Sequence, residues 1–168
     1  MQPSQIQLVQ STWRDVAPHA QGAALIFYAR LFELDPSLRR FFPADLRGHA
    51  VVLLQTLGNA VFALDELETV APALEMLGRR HVDYAVLDQD YDAFGQALLD
   101  TLATLLGDGF TPLVRDAWAE TYGALTGIMR RAAREHVAHR RAAAVRAAIA
   151  ATLGLGGLSG TGLLAAFS

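Results

Sequence analysis

Apolar residues recur at helical spacing along most of this chain, and nowhere do they alternate as a half-buried strand would require. That periodicity restricts the fold to packed helices, and seven or eight helical segments are predicted. The first carries Ile6, Leu8, Val9 and Trp13, opens on a Ser4–Gln7 capping box and stops near Pro18. A second runs from about His19 to Leu34, with Leu25, Phe27, Tyr28, Leu31 and Phe32 as a broad buried face. Asp35-Pro36 restarts a short helix that ends in Phe41-Phe42-Pro43. A long apolar helix follows from about Leu46 to Ala63, then a capped turn near Asp65 and a segment from about Leu67 to Val82. Asp88 and Asp90 open a helix striped with Tyr91, Phe94, Leu98, Leu102 and Leu105 and broken by Gly107 and Gly109. Thr111-Pro112 caps the last helix, which passes through Val114, Trp118, Tyr122, Leu125 and Met129.

Beyond Met129 the character changes. Six arginines interleaved with alanine lie between Arg130 and Arg146, and both residue types favour helix, so the last helix is predicted to continue to about Thr152. Leu153 to Ser168 form an uncharged tail rich in glycine and leucine. A basic helix with an apolar tail can meet a membrane surface or a partner, but the apolar residues here keep little sustained helical spacing, so a protruding helix end and frayed tail is the expectation. His136 and His139, three apart, read as part of the solvated arginine-rich face.

At 168 residues and 52% hydrophobic content the chain can bury a full core. A net charge of −3 gives no case for nucleic acid. Without cysteine there are no disulfides, iron–sulfur clusters, thiolate nucleophiles or thioether-linked cofactors. No leader and no transmembrane run is read, so a cytoplasmic protein is expected.

Leu74, Leu77 and His81 fall at i, i+3 and i+7, which places a histidine on an apolar helix face. Such a ring must find partners, since an unpaired buried polar group costs about 1–3 kcal/mol. A satisfied core histidine and a metal ligand both answer that need. His49 stands 32 residues earlier, on the long apolar helix, sharing a face with Val52, Leu53 and Thr56. Two histidines from different helices, with Tyr28, Phe42 and further aromatics in a helical core, point to a pocket around a flat apolar cofactor.

At this point several segments resemble the globin family, in particular bacterial single-domain globins and neuroglobins. Tyr28-Ala29-Arg30-Leu31-Phe32, then Asp35-Pro36 and Phe41-Phe42, resemble the second helix and following corner. Leu77-Gly78-Arg79-Arg80-His81 is similar to the segment that carries the proximal haem ligand. Gly107, Phe110-Thr111-Pro112, Ala117-Trp118, Tyr122-Gly123-Ala124 and Met129 resemble the last helix. The resemblance covers about Ser4 to Arg134. It implies a globin domain over residues 1–138 and an extension over 139–168, with non-covalent haem b held by His81. It places His49 on the distal side as a ligand-stabilising residue and candidate second iron ligand, and Tyr28 as a second group facing bound gas. Phe42 then packs on the haem, while Leu53, Leu77, Val86, Tyr91 and Phe94 line its pocket; ordinary core packing competes for the last group.

Two departures accompany this likeness. Only six residues separate Phe42 from His49, a corner shorter than in those relatives, which threatens to drag the distal helix. Tyr91 matches a proximal tyrosine that flavohaemoglobins pair with a glutamate, but Ala133 stands where the glutamate would be, so the proximal push should be weak. The implied function is reversible binding of oxygen, nitric oxide or carbon monoxide, used for nitric oxide dioxygenation with a separate reductase. A haem-based sensor acting through a partner is the alternative.

Overall fold

The computed structural model describes residues 1–153. The apolar tail expected after the last helix lies, from residue 154, outside the described residues. Among the described residues, six α-helices and four 3-10 turns account for the predicted helical segments, and no strand occurs. The helices are α1 (Pro3–Val16), α2 (Ala20–Leu34), α3 (Leu46–Phe62), α4 (Leu67–Asp83), α5 (Asp88–Leu106) and α6 (Pro112–Thr152). The 3-10 turns are Ala17–His19, Pro36–Phe41, Leu64–Glu66 and Gly107–Gly109. Two compact units are distinguished, Met1–Ala133 and one beginning at Arg134. No single helix among the described residues is both long and apolar enough to cross a membrane.

Local chemistry sets the helix ends. Pro3 occupies the first position of α1, where its missing N–H costs nothing, and the Gln2 amide donates to Gln5 Oε1 at 2.7 Å. The helix therefore starts two residues before the expected Ser4–Gln7 box, and Ser4 lies within its first turn. Asp35, Asp45 and Asp90 each accept a backbone N–H at a helix start, from Ser37, Arg47 and Leu87 respectively. Gly107 ends α5 with φ +51°, a conformation that costs glycine little.

The core of the first unit is built on α2, which packs most extensively against α5 and α3. Trp118, Tyr28, Leu31, Leu38, Leu102, Val9 and Val61 are fully buried. Trp118 Nε1 donates to the buried Thr12 hydroxyl at 2.9 Å, so α6 is tied to α1 without an orphaned donor. Two expected faces are narrower than predicted. On α2 the buried stripe is Ala23, Ala24, Phe27, Tyr28 and Leu31, and Leu25 is exposed. On α3 the stripe centres on Ala50, Leu53, Leu54, Leu57 and Val61; His49 sits at its edge, and Val52 and Thr56 lie on the solvent side.

Candidate functional site

Tyr28 is 2% exposed, because position 28 falls in the middle of the α2 stripe. Its hydroxyl lies 2.7 Å from His49 Nδ1. Phe42 meets the Tyr28 ring edge-on at 5.2 Å and the His49 ring at 5.3 Å, and stacks on Phe94 of α5 at 5.8 Å. Phe32 packs on both Tyr28 and Phe42. Rings from α2, α3, α5 and the intervening corner thus converge on one hydroxyl–imidazole pair. Burial pushes the Tyr28 phenol up to about 12, so it stays neutral and keeps its proton.

The short corner does not pull His49 out of reach of Tyr28. It is held by a residue that sequence reasoning missed. The Arg39 guanidinium donates to the carbonyls of Phe42 (2.9 Å), Pro43 (3.0 Å) and Ala44 (3.4 Å), and lies over the Phe32 ring. The only available signal was an arginine in the last turn of a capped 3-10 segment, next to carbonyls that turn leaves unpaired.

His81 lies in a second cluster. Its Nδ1 is 2.7 Å from the Leu77 carbonyl, one turn back on α4. A carbonyl can only accept, so Nδ1 carries the proton and Nε2 keeps a free lone pair. The end of α4 folds around this residue. The Val86 amide donates to the His81 carbonyl and the Ala85 amide to the Val82 carbonyl, both at 3.0 Å, with Ala85 at φ +58°. This is a Schellman cap, and it brings Val86 back against the helix end that holds His81. Leu77, His81 and Val86 are all half-buried.

Tyr91 packs its ring 5.8 Å from that of His81. The Arg130 side chain of α6 lies over the Tyr91 ring at 5.0 Å, hydrogen-bonded to Asp92 and paired with Asp88. Burial pushes the Tyr91 phenol up, opposed by the Arg130 charge. Its hydroxyl is buried without a hydrogen-bond partner, and no carboxylate stands at Ala133 to supply one.

The two histidines share no ring contact or hydrogen bond. α5 connects their clusters, with Phe94 in the first and Tyr91, one turn earlier, in the second. Leu53 packs against the core away from the solvent side of α3. It lines an apolar cavity of about 90 Å³ with Trp13, Phe27, Leu57, Phe94 and Leu98. Among the described residues no three His, Asp or Glu side chains gather as a metal-ion cage. A single imidazole lone pair of this kind can serve a metal that brings most of its own ligands, as one bound in a flat macrocycle does.

The comparisons with known proteins agree with that chemistry. The family model described as Globin matches residues 25–129, a span that holds Tyr28, Phe42, His49, Leu53, Leu77, His81, Val86, Tyr91 and Phe94. Neuroglobin of Danio rerio is 28% identical over 138 residues, covering 74% of this chain and 87% of that protein. Neuroglobin-2 of Oncorhynchus mykiss and neuroglobin of Tetraodon nigroviridis are each 27% identical over 139 residues, with the same coverage.

Proposed function

The chain belongs to the globin family, and from that premise we propose that it holds non-covalent haem b through His81 and binds oxygen, nitric oxide and carbon monoxide beside His49 and Tyr28. The observation that carries the reading is the His81–Leu77 hydrogen bond, because it presents the ring nitrogen a haem iron needs. The residues fit the group in two further respects. Phe42 and Phe94 offer stacked aromatic surface to a flat apolar macrocycle, and the orphaned Tyr91 hydroxyl is a buried donor beside the His81 ring. Haem, when bound, supplies an iron atom whose open coordination position takes a diatomic gas.

On the distal side the proton order follows from acidity. A phenol is a stronger acid than an imidazole N–H, and an imidazole nitrogen is a stronger base than a phenol oxygen. Tyr28 therefore donates to His49 Nδ1, and the ring proton of His49 resides on Nε2. The two groups act in series rather than side by side. Tyr28 spends its proton on His49, and His49 Nε2–H is the donor offered to a diatomic guest. Each link of such a chain polarises the next. A guest with partial negative charge gains about 1.5–3 kcal/mol from a charge-assisted donor, which slows its release by about 10- to 150-fold. A less polar guest such as carbon monoxide gains little. While the Tyr28 bond holds, His49 Nε2 has no lone pair, so His49 does not ligate iron.

The apolar cavity lined by Leu53 and Phe94 offers apolar gases a place to wait, and Phe94 links it to Phe42 of the distal cluster. We read the use of the pocket as nitric oxide dioxygenation in the cytoplasm, in which nitric oxide, O₂ and one electron from a separate reductase give nitrate. The globin unit extends to about residue 138, with the remainder as an extension. A sensor reading draws on one observation: α6 carries Arg130, which lies over Tyr91, and also the arginine-rich segment after Ala133.

An absorption spectrum of the purified protein tests the proposal. A Soret band that passes into the organic layer on acid–butanone extraction is expected. A colourless protein that takes up no added haem, or colour that stays with the polypeptide, overturns it.

A further inference from the structure

We propose that Gly78 is a positioning residue that sets the place of the His81 ring by letting α4 rest backbone-to-backbone on α6, an inference that depends on His81 being the haem ligand. Among the described glycines, Gly22, Gly48, Gly123 and Gly127 have open space where a Cβ would stand, and Gly58 and Gly95 face aromatic rings. Gly78 alone faces main chain. A Cβ there would lie 2.8 Å from both the Cα and the carbonyl carbon of Met129, and closer still to the carbonyl oxygen. A ring can turn aside, but a helix backbone cannot. Any side chain at 78 must therefore drive α4 off α6 by roughly 1 Å to reach ordinary contact distance.

Three features carry that displacement to the imidazole. Gly78 and Leu74 are the buried residues of α4, so this contact is where the helix is seated. His81 is less than one turn further on and nearly on the same face. Its Nδ1 is bound to the carbonyl of Leu77, the neighbour of Gly78, so the ring moves with its helix instead of adjusting independently. The wall it faces stays behind. Tyr122 Oη donates to the Tyr91 carbonyl at 2.7 Å, and Arg130 holds Asp92, so the start of α5 is also anchored on α6. One helix is the common reference, and the glycine sets how near α4 approaches it. A mid-helix glycine costs about 1 kcal/mol relative to alanine, so its presence within α4 works against local helix propensity.

The test compares Gly78→Ala with Gly58→Ala on α3, which crowds the Trp13 ring of α1 instead, in the holoprotein. Gly78→Ala should shift the iron–histidine stretching band of the reduced, gas-free protein and speed haem loss roughly 5- to 150-fold, the range expected of overpacking. Gly58→Ala should leave the band in place. The same Gly78→Ala change is then made in His81→Gly supplied with free imidazole. With the ligand detached from α4, neither the iron–imidazole band nor the haem-loss rate should respond to it. An unmoved band in Gly78→Ala, equal effects in both backgrounds, or loss of the fold in both overturns the proposal and makes Gly78 a packing requirement alone. If His81→Gly without imidazole keeps the wild-type spectrum, the haem assignment is what has failed.

Discussion

His49 and His81 each place Nδ1 at 2.7 Å from one oxygen, yet the two oxygens have opposite consequences. Leu77 offers a carbonyl, which only accepts, so His81 has a single tautomer dictated by backbone on its own helix. Tyr28 offers a hydroxyl, which can donate or accept, so the tautomer of His49 rests on a side chain from another helix and can be reversed. The supports differ in the same sense. His81 is gripped by a Schellman cap and a backbone contact at Gly78, whereas His49 follows a corner held by one arginine. A ligand fixed by backbone suits permanent attachment of a cofactor. A donor fixed by side chains suits adjustment of what that cofactor retains.

Breaking the fixed side should have the largest effect. His81→Ala is expected to purify with little or no haem and to melt at a lower temperature than the wild-type holoprotein. The reason is mass action, since a cofactor that binds only the folded chain stabilises it. Extraction of haem from both proteins and their thermal melts check this. If His81→Ala retains full haem, the axial ligand lies elsewhere.

The adjustable side should respond in graded fashion. His49→Leu should speed oxygen release about 10- to 150-fold with far less change for carbon monoxide. Tyr28→Phe should have a smaller effect on oxygen release and a qualitatively different second one. Without the phenol proton, Nδ1 of His49 can carry the hydrogen, and Nε2 gains a lone pair for iron. The reduced, gas-free spectrum should then change from one broad visible band to sharp paired bands, which vanish again in Tyr28→Phe/His49→Leu. Equal rate effects from the two single variants would mean that they donate side by side and not in series.

A smaller change sharpens the contrast at the end of α4. Ala85 holds φ +58°, where an L-residue other than glycine is disfavoured by about 1 kcal/mol. Ala85→Gly should raise stability by about 0.5–1 kcal/mol in denaturant titrations and leave both gas-release rates unchanged. A rate change would show that the cap strain is transmitted to His81. Alkaline titration should give the broadest and mildest signal. The buried phenol of Tyr28 keeps its proton to about pH 12, whereas an unfolded tyrosine loses it near 10. The folded state holds more protons across that window, so stability should fall as pH rises from about 10 to 12. Tyr28→Phe should flatten part of this slope. Tyr91 and Tyr122, shifted the same way by burial, should account for the rest.

Much of this arrangement follows from rules that act within one or two helical turns, and those rules can be read along a chain. Helix identity, the Asp and Thr-Pro starts, the stop at Gly107 and the placing of His81 on an apolar face all depend on neighbours three or four residues apart. Even the Leu77 bond is local, a side chain reaching back one turn. The tertiary structure decided the rest. It placed His49 at the margin of the α3 stripe, with Val52 and Thr56 outside it, because the limits of a buried face depend on what the neighbouring helices cover. Packing put the Tyr28 hydroxyl against Nδ1 of a ring 21 residues away and laid Arg130 over Tyr91. It also gave the glycine in Leu77-Gly78-Arg79-Arg80-His81 its purpose. Along the chain Gly78 is only an unfavourable helix residue, and its contact is with a carbonyl 51 residues later. Contacts of that span arise from the summed packing of whole helices, whose small individual terms no local pattern records.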